Sequence, residues 1–508
     1  MKQTSFNGDN SSSKFDSFSR EDLVKRQLLL EGEVERLVKE LYEMRQIQIS
    51  DEQLKFVTTE QLAALNEALY GASSERYKKP DPKKKPAQDP KPRIKKPSER
   101  YPNIPVREVP LTLSPAPGCD VCGKLMSDSG MTEDSEQLTV IPKKYEIIRY
   151  KKSIYRCSCQ ACMVTALPLP KIVKGSSYSN EMILDVVLSK YCDLIPIERY
   201  AQMAQRYSGL KDLPPHSLID LTHKFADFVI EVYRLIKAGI LKVRVLNADE
   251  TPHKMLEGSD KKSWYLWGFS TPTLCFLECH DTRSGDVASD VLINSVCEVL
   301  VSDVFSGYGK ALRIVNLDRN FKNLPPVENA YCNAHSRRYF FKSQKGYPET
   351  NFYLDHYHEI YQLNDLTKNK PPDEVLKIRS EMAVRFEAMK KQAMEDLPRY
   401  PRGIKLHTAL SYFLGNYDGL TLFLTDADVP IDNNSQERLL RSHVVGRKTW
   451  YGTHSERGAE TAAVLFSIVE TCKLNGVNPK AFFDQITKDL LAGKPAYTPL
   501  DFKNFQTT

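Results

Sequence analysis

Three carboxylates and a group of cysteines are the residues whose types and spacing could do chemistry. Asp249 closes the apolar segment "KVRVLNADE", and Asp303 follows the apolar run "VLVS". A carboxylate at the end of a dry strand is costly unless paired or bound to a metal. Neighbouring side chains of a strand point to opposite faces, so Asp249 and Glu250 cannot both serve one site. Thr251 and Pro252 read as the end of that strand, which favours Asp249. Plainer roles stand beside these: Asp249 could cap Thr251, and Asp303 could begin the turn before "FSGYG". Glu437 lies in "IDNNSQERLLRSHVVGRKTW", residues 431 to 450. There Asn434-x-x-Glu437 is close to a capping box, and Glu437 with Arg441 is spaced as an i,i+4 ion pair. Asn433, Glu437 and Arg441 also share one helical face, a polar surface suited to a metal and a phosphate.

Five of the eleven cysteines fall between Cys119 and Cys162. An odd total crowded in this way fits a reducing compartment with a metal site better than a disulfide framework. Cys119-x-x-Cys122 and Cys159-x-x-Cys162 are spaced for two thiolate pairs on one tetrahedral structural zinc, with Cys157 a spare. Cys332-x-x-His335 could hold a metal, but two ligands are insufficient, so the pair reads as structural or DNA-contacting.

The elements that must position these residues set the organisation. Residues 1–77 read as a polar tail and a coiled-coil or helical hairpin. Leu30, Val34, Leu37, Leu41 and Met44 recur at spacings of three and four, and "SRED" from Ser19 reads as a capping box. Packing of this helix on its own domain is the alternative. A second helix, "TEQLAALNEALYG", closes at Gly71. Residues 78–104 form a basic Pro-rich linker, 105–170 a zinc-ribbon-like module with strands such as "YEIIRYKKSIY", and 171–240 a helical, helix-turn-helix-like bundle suited to DNA or to scaffolding. From 241 to 345 hairpin-like strands, a helix and a further apolar strand resemble the opening of an RNase H-like α/β core. A charged helical insertion spans 346–425, the core resumes over 426–488, and 489–508 is a C-terminal tail.

Charge is unevenly placed. Residues 78–100 carry ten Lys/Arg against three acids, a local +7, so the net +6 leaves −1 elsewhere. Six prolines there oppose regular structure and leave an extended tether, either a solubilising linker or an attractor of nucleic-acid phosphate. No run of about 18 apolar residues indicates a membrane span, and the N-terminus lacks the layout of a secretory signal.

"ADET" (248–251), "SDVFSGYGK" (302–310), "CNAHSRR" (332–338) and "DNNSQERLLRSHVVGRKTW" followed by "SIVETCKLNGVNP" together resemble the transposases of the insertion sequence 66 family. "LNEALYGASSERY", the cysteine pairs and "LSKYCDLIPIERY" extend the resemblance to roughly residues 20 to 490. Family members usually place the second Cys-x-x-Cys directly after the tyrosine, whereas Gln160 stands three after Cys157 here. Cys159 and Cys162 are therefore preferred to Cys157 as zinc ligands.

The resemblance implies an RNase H-like core with its helical insertion between Asp303 and Glu437. It implies Asp249, Asp303 and Glu437 as an acidic triad holding two Mg²⁺, with Mn²⁺ as a second choice. Water would cut the element end to free a 3′-hydroxyl, which would then attack target DNA. Arg441, Arg447 and Lys448 would hold phosphates. The implied partners are double-stranded DNA, as element ends and target, a second copy of the chain and companion element-encoded proteins. The implied setting is the bacterial cytoplasm, at the nucleoid. A nuclease without strand transfer and a noncatalytic DNA-binding regulator are the alternatives.

Overall fold

The computed structural model describes residues 33–39, 54, 57–58, 61, 96–109, 111, 118–125, 135–141, 143–156, 162–257 and 263–507. It divides into two compact units, one of residues 1–72, 150–203 and 211–508, the other of 73–149 and 204–210.

In the smaller unit, the end of the basic segment is a helical turn, Pro97–Arg100, with proline where no amide partner is needed. Both the Ser98 amide and its hydroxyl donate to Glu136, each at 2.8 Å, so this end of the segment is anchored. Cys119 and Cys122 lie in a tight turn in which Gly123 N–H donates to Cys119 O at 2.8 Å and Cys119 N–H to Lys124 O at 2.8 Å.

The larger unit is built on a five-stranded mixed sheet. The short hairpin of β1 (Ile154–Arg156) and β2 (Met163–Thr165) precedes it, and the strand-like "YEIIRYKKSIY" contributes only its last residues to β1. Four helices follow: α1 (Asn180–Tyr191), α2 (Ile197–Ser208), α3 (Pro215–Phe228) and α4 (Ile230–Ile240). Next come β3 (Val245–Lys254), β4 (Ser263–Ser270) and β5 (Cys275–His280) as an antiparallel meander. Helix α5 (Asp286–Ile293) crosses over to β6 (Val299–Ser302), which runs parallel to β3; α6 (Ser306–Phe321) crosses over to β7 (Glu328–Tyr331), parallel to β6. The order across the sheet is β5-β4-β3-β6-β7.

Helix α7 (Asn333–Ser343) leads into α8 (Thr350–Leu366), the long α9 (Pro372–Asp396), α10 (Lys405–Gly415) and α11 (Tyr417–Thr421). The chain then returns as α12 (Asn434–Trp450), α13 (Glu456–Leu474), α14 (Pro479–Leu491) and α15 (Pro499–Thr507). No helix of the described residues is long and apolar enough to cross a membrane.

Burial divides the apolar residues between two clusters. Leu184 and Val187 of α1, Phe225 of α3 and Ile236 of α4 share one core with Trp267, Phe276, Phe466 and Phe483, so these helices pack on the sheet and the C-terminal helices. Helix α13 is apolar almost all round and correspondingly buried. Its Ser467 and Thr471 hydroxyls accept from the β5 amides of Leu277 (2.9 Å) and Cys275 (3.1 Å), pairing an edge strand with a helix.

The second cluster joins Val301, Phe340, Tyr357, Phe386 and Phe413, and Val38, Leu54 and Val57 belong to it. The residues 33–39 are helical, as the periodicity anticipates, but Val38 is the buried position and Leu37 is 51% exposed. Val34 packs against this second cluster and Leu37 faces away from it, while Leu30, Leu41 and Met44 lie outside the described residues. "SRED" and "TEQLAALNEALYG" to Gly71 lie outside the described residues, apart from Gln61 of the latter.

Helix α12 is fastened along β3. At its start, Asn247 Nδ2 donates to Asn433 Oδ1 at 2.8 Å, and Asn433 Nδ2 donates to Ala248 O at 2.8 Å. Midway, the rings of His253 and His443 meet at 3.1 Å between Nδ1 and Nε2, and His253 Nε2 lies 2.8 Å from Thr453 Oγ1. At its end, Met255 and Thr453 form a parallel bridge, with Leu256 N–H donating to Thr453 O at 2.8 Å. Tyr451 caps the helix in the left-handed region at φ 65°. Gly452 follows at φ 131°, where a Cβ would come within 2.2 Å of Lys254 O.

Two outcomes follow from this packing. A Cβ on Gly285 would lie 2.0 Å from Gly307 O, whereas one on Gly309, also in α6, meets nothing within 4 Å. Gly285→Ala is therefore expected to cost about 1–3 kcal/mol of stability, and Gly309→Ala to be neutral or to gain up to about 1 kcal/mol, read as thermal midpoints. Burial holds His253 down at about 4 and His443 well below its usual value, so both imidazoles are neutral in the folded chain. The unfolded chain binds those protons near pH 6.5, so stability is full above that pH and falls as pH drops toward 4. Thermal midpoints across that window are expected to decline, and a His443→Met variant to show a shallower slope.

Candidate acidic site

The pairing register of the sheet brings two of the carboxylates together. Strands β3 and β6 pair in parallel as Val245↔Val299, Leu246↔Leu300 and Asn247↔Val301. Continued by one alternation, the same register sets Asp249 beside Asp303, on the face of β3 that Asn247 presents to α12. Strand β3 does not end at Thr251 and Pro252 but runs to Lys254, paired with β4 alone beyond Asn247. Pro252 is tolerated there because no strand lies on its other side.

Asp249 is largely buried, and its Oδ1 accepts from Glu250 N–H at 2.9 Å, not from Thr251. Burial first, then the negative charges of Glu250, Asp303 and Glu437, push its carboxyl up to about 8 from an ordinary value near 3.8. Asp303 Oδ1 accepts from Phe305 N–H at 3.1 Å, so it does open the turn that leads into α6. Glu250 faces away, held by Arg283 (2.6 Å to Nη2) and the Tyr308 hydroxyl (2.6 Å).

Glu437 stands in the first turn of α12. The capping box does not form. The cap residue is Asn433, whose side chain is committed to β3, while Asp432 accepts from the Asn434 amide at 3.1 Å and from its side chain at 2.6 Å. Among the described residues Glu437 makes no ion pair with Arg441. Its Oε1 is instead buried without a hydrogen-bond partner, 3.8 Å from His335 Nε2. Cys332 Sγ completes this neighbourhood, with one ligand atom each from Cys332, His335 and Glu437 lying within 4.8 Å of one another.

The carboxylates fit a hard divalent cation. Glu437 Oε1 has no hydrogen-bond partner, and burial first, then the charges of Glu250, Asp303 and Glu437, keeps Asp249 protonated near neutral pH in the cation's absence; among the described residues only Cys332, His335 and Glu437 bring three ligand atoms within 4.8 Å of one another. Arg441 and Lys448 lie exposed on the same stripe of α12 as Glu437. Arg447 does not share that stripe: it is half-buried beside the histidine pair, and its charge depresses both imidazoles.

Of the cysteines, Cys119 and Cys122 form the turn described above. Backbone N–H groups of Cys122 and Val121 hold the Cys119 thiol below its ordinary value, the arrangement that thiolate ligands of a structural zinc use. Cys162 is exposed beside β2, and Cys157 and Cys159 lie outside the described residues.

Sequence reasoning missed the fastening roles of Asn247, Asn433, His253 and His443, because each depends on a partner some 190 residues away in the chain. It also left Cys332 and His335 without a third ligand, although their Cys-x-x-His spacing was the one signal that could have flagged the place where Glu437 arrives.

A family model described as "Transposase IS66 family" matches residues 175–461, or 287 of 508. Three similar proteins come from Sinorhizobium fredii (strain NBRC 101917 / NGR234). Uncharacterized protein y4hP is 24% identical over 401 residues, 74% of this chain and 71% of its own. Uncharacterized protein y4jD is 26% identical over 402 residues, 75% and 76%. Uncharacterized protein y4qI is 25% identical over 383 residues, 71% and 69%. The matched segment runs from before α1 into α13 and so contains the sheet, the helices inserted before α12, and all three carboxylates; over that segment the chain belongs to the IS66 family of transposases.

Proposed function

We propose that the chain is a DNA transposase that cuts the ends of its insertion sequence and joins them to target DNA at the site of Asp249, Asp303 and Glu437. Two observations support this reading: the charges of Asp303, after β6, and Glu437, at the start of α12, both act on the carboxyl of Asp249 in β3, and Glu437 Oε1 is buried without a hydrogen-bond partner. The sheet order, three antiparallel strands followed by two parallel ones, is read as an RNase H-like core.

Asp249, Asp303 and Glu437 would hold the ions. When bound, a pair of Mg²⁺, or Mn²⁺, stabilises both entering and leaving oxygens of an in-line phosphoryl transfer. The chain's own residues do the rest. Asn433 fixes where Glu437 projects, by tying the start of α12 to the carbonyl next to Asp249. Arg441 and Lys448, on the Glu437 stripe, are placed to hold the phosphates that flank the scissile bond. Arg447, packed beside His253 and His443, is read as a brace of α12. Cys119, Cys122, Cys159 and Cys162 are proposed to hold a structural zinc, and the basic segment 78–100 to add nonspecific attraction to the DNA backbone.

The test is a cleavage and joining assay on DNA carrying the element's own ends, with Mg²⁺ and any companion proteins the element encodes. Asp249→Asn and Glu437→Gln are each expected to lower cleavage by about 10³-fold or more, the loss of several kcal/mol of transition-state stabilisation, while DNA binding is retained. Full cleavage by Asp249→Asn would exclude this site, and cleavage without joining of a precut end would favour a nuclease. Arg441→Ala and Lys448→Ala are each expected to weaken binding and to lower the salt dependence of log K by about 0.9. Arg447→Ala is expected to leave that slope in place and to lower the thermal midpoint instead.

A further inference from the structure

Cys332 and His335 take no part in the reading above, yet they adjoin Glu437. Cys332 caps the start of α7, and Asn433 N–H donates to its Sγ at 3.2 Å. The sulfur is buried at a helix N-terminus, where a thiolate bound to a cation is favoured. Beside it, His335 Nδ1 and Glu437 Oε1 are both buried without hydrogen-bond partners. The residues are also neither sealed off nor open, with His335 and Glu437 side chains 27% and 29% exposed, so an ion could reach them from solvent.

We propose that Cys332, His335 and Glu437 form a second cation site, for a zinc-like divalent metal, which shares Glu437 with the acidic triad. A sulfur, an imidazole nitrogen and one carboxylate oxygen are the donor set of Zn²⁺ and not of Mg²⁺, whose ligands are oxygens. The three ligand atoms lie within 4.8 Å of one another, and an ion at about 2.0–2.3 Å from each would draw them closer together. Burial keeps the unbound Cys332 thiol protonated, so binding breaks its S–H bond, forms a sulfur–metal bond and delivers the proton to solvent. Three protein ligands leave a fourth position for water. Occupancy withdraws the charge of Glu437 from Asp249 and Asp303 and so opposes Mg²⁺ there; only this consequence rests on the transposase reading.

The test uses the full chain, stripped of metal and titrated with Co²⁺, following bound equivalents and the thiolate-to-cobalt absorption. The wild type is expected to bind one equivalent more than either Cys332→Ser or His335→Gln, and Cys332→Ser to lose part of the thiolate band. The Cys119, Cys122, Cys159 and Cys162 background is common to all three proteins. Should the serine variant fail to fold, His335→Gln decides alone, because its ring is partly exposed and its loss leaves the buried sulfur in place. Equal equivalents in wild type and folded His335→Gln would overturn the inference. No cleavage is read, so this outcome is independent of whether the chain cuts DNA.

Discussion

Asn433 is the residue on which the site depends. One side chain and one backbone amide tie it to three separate pieces: the Asn247 side chain, the Ala248 carbonyl and the Cys332 sulfur. These belong to β3 and to the junction between β7 and α7, so the start of α12 is fixed to the centre of the sheet and to the first residue of the inserted helices. Both ends of the side chain are used in this way and neither caps the helix, a task that passes to Asp432. A buried amide hydrogen-bonded at both its oxygen and its nitrogen favours one arrangement, because a shift would leave them unpaired. Glu437, four residues on, inherits that definition.

The acidic face is held at both sides by interactions that involve no net charge. Amides join α12 to β3 before Asp249, and neutral imidazoles join them after it. Placing neutral groups on that face leaves no charged partner bonded to Asp249, whose own carboxyl accepts only from the backbone amide of Glu250. Glu250, the acid that faces the other way, receives the opposite treatment: Arg283 and Tyr308 satisfy it completely. Adjacent acids in one strand thus differ in role because the pleat sends them to surroundings of different polarity.

Much of this was legible in the sequence, and the parts that were not share a physical reason. The apolar strands, the helices inserted before α12 and the separation of Asp249 from Glu250 follow from local periodicity and alternation. The end of β3 was misplaced because Pro252 signals a break, and only the absence of a neighbouring strand on that side lets it remain. The Asn434-x-x-Glu437 spacing suggested a capping box, but the helix begins at Asn434 itself, whose amide donates to Asp432 two residues before it. Val38, which the periodicity did not single out, is buried because it meets the chain's second core, a contact that depends on residues far along the chain. The long helix α6, following Asp303, has no strong signal beyond "SGYG", whose first glycine, Gly307, packs closely against Gly285.

Both edges of the sheet are occupied. Hydroxyls of α13 take the free amides of β5, and on the far side a Cβ on Gly419 of α11 would lie 2.8 Å from the Asn329 carbonyl of β7, so that helix rests directly on the strand. A sheet closed by helices at each end offers no template along which another chain could extend it. Any partner chain must therefore meet this one through its helices or loops, and the sheet remains a private, finite frame.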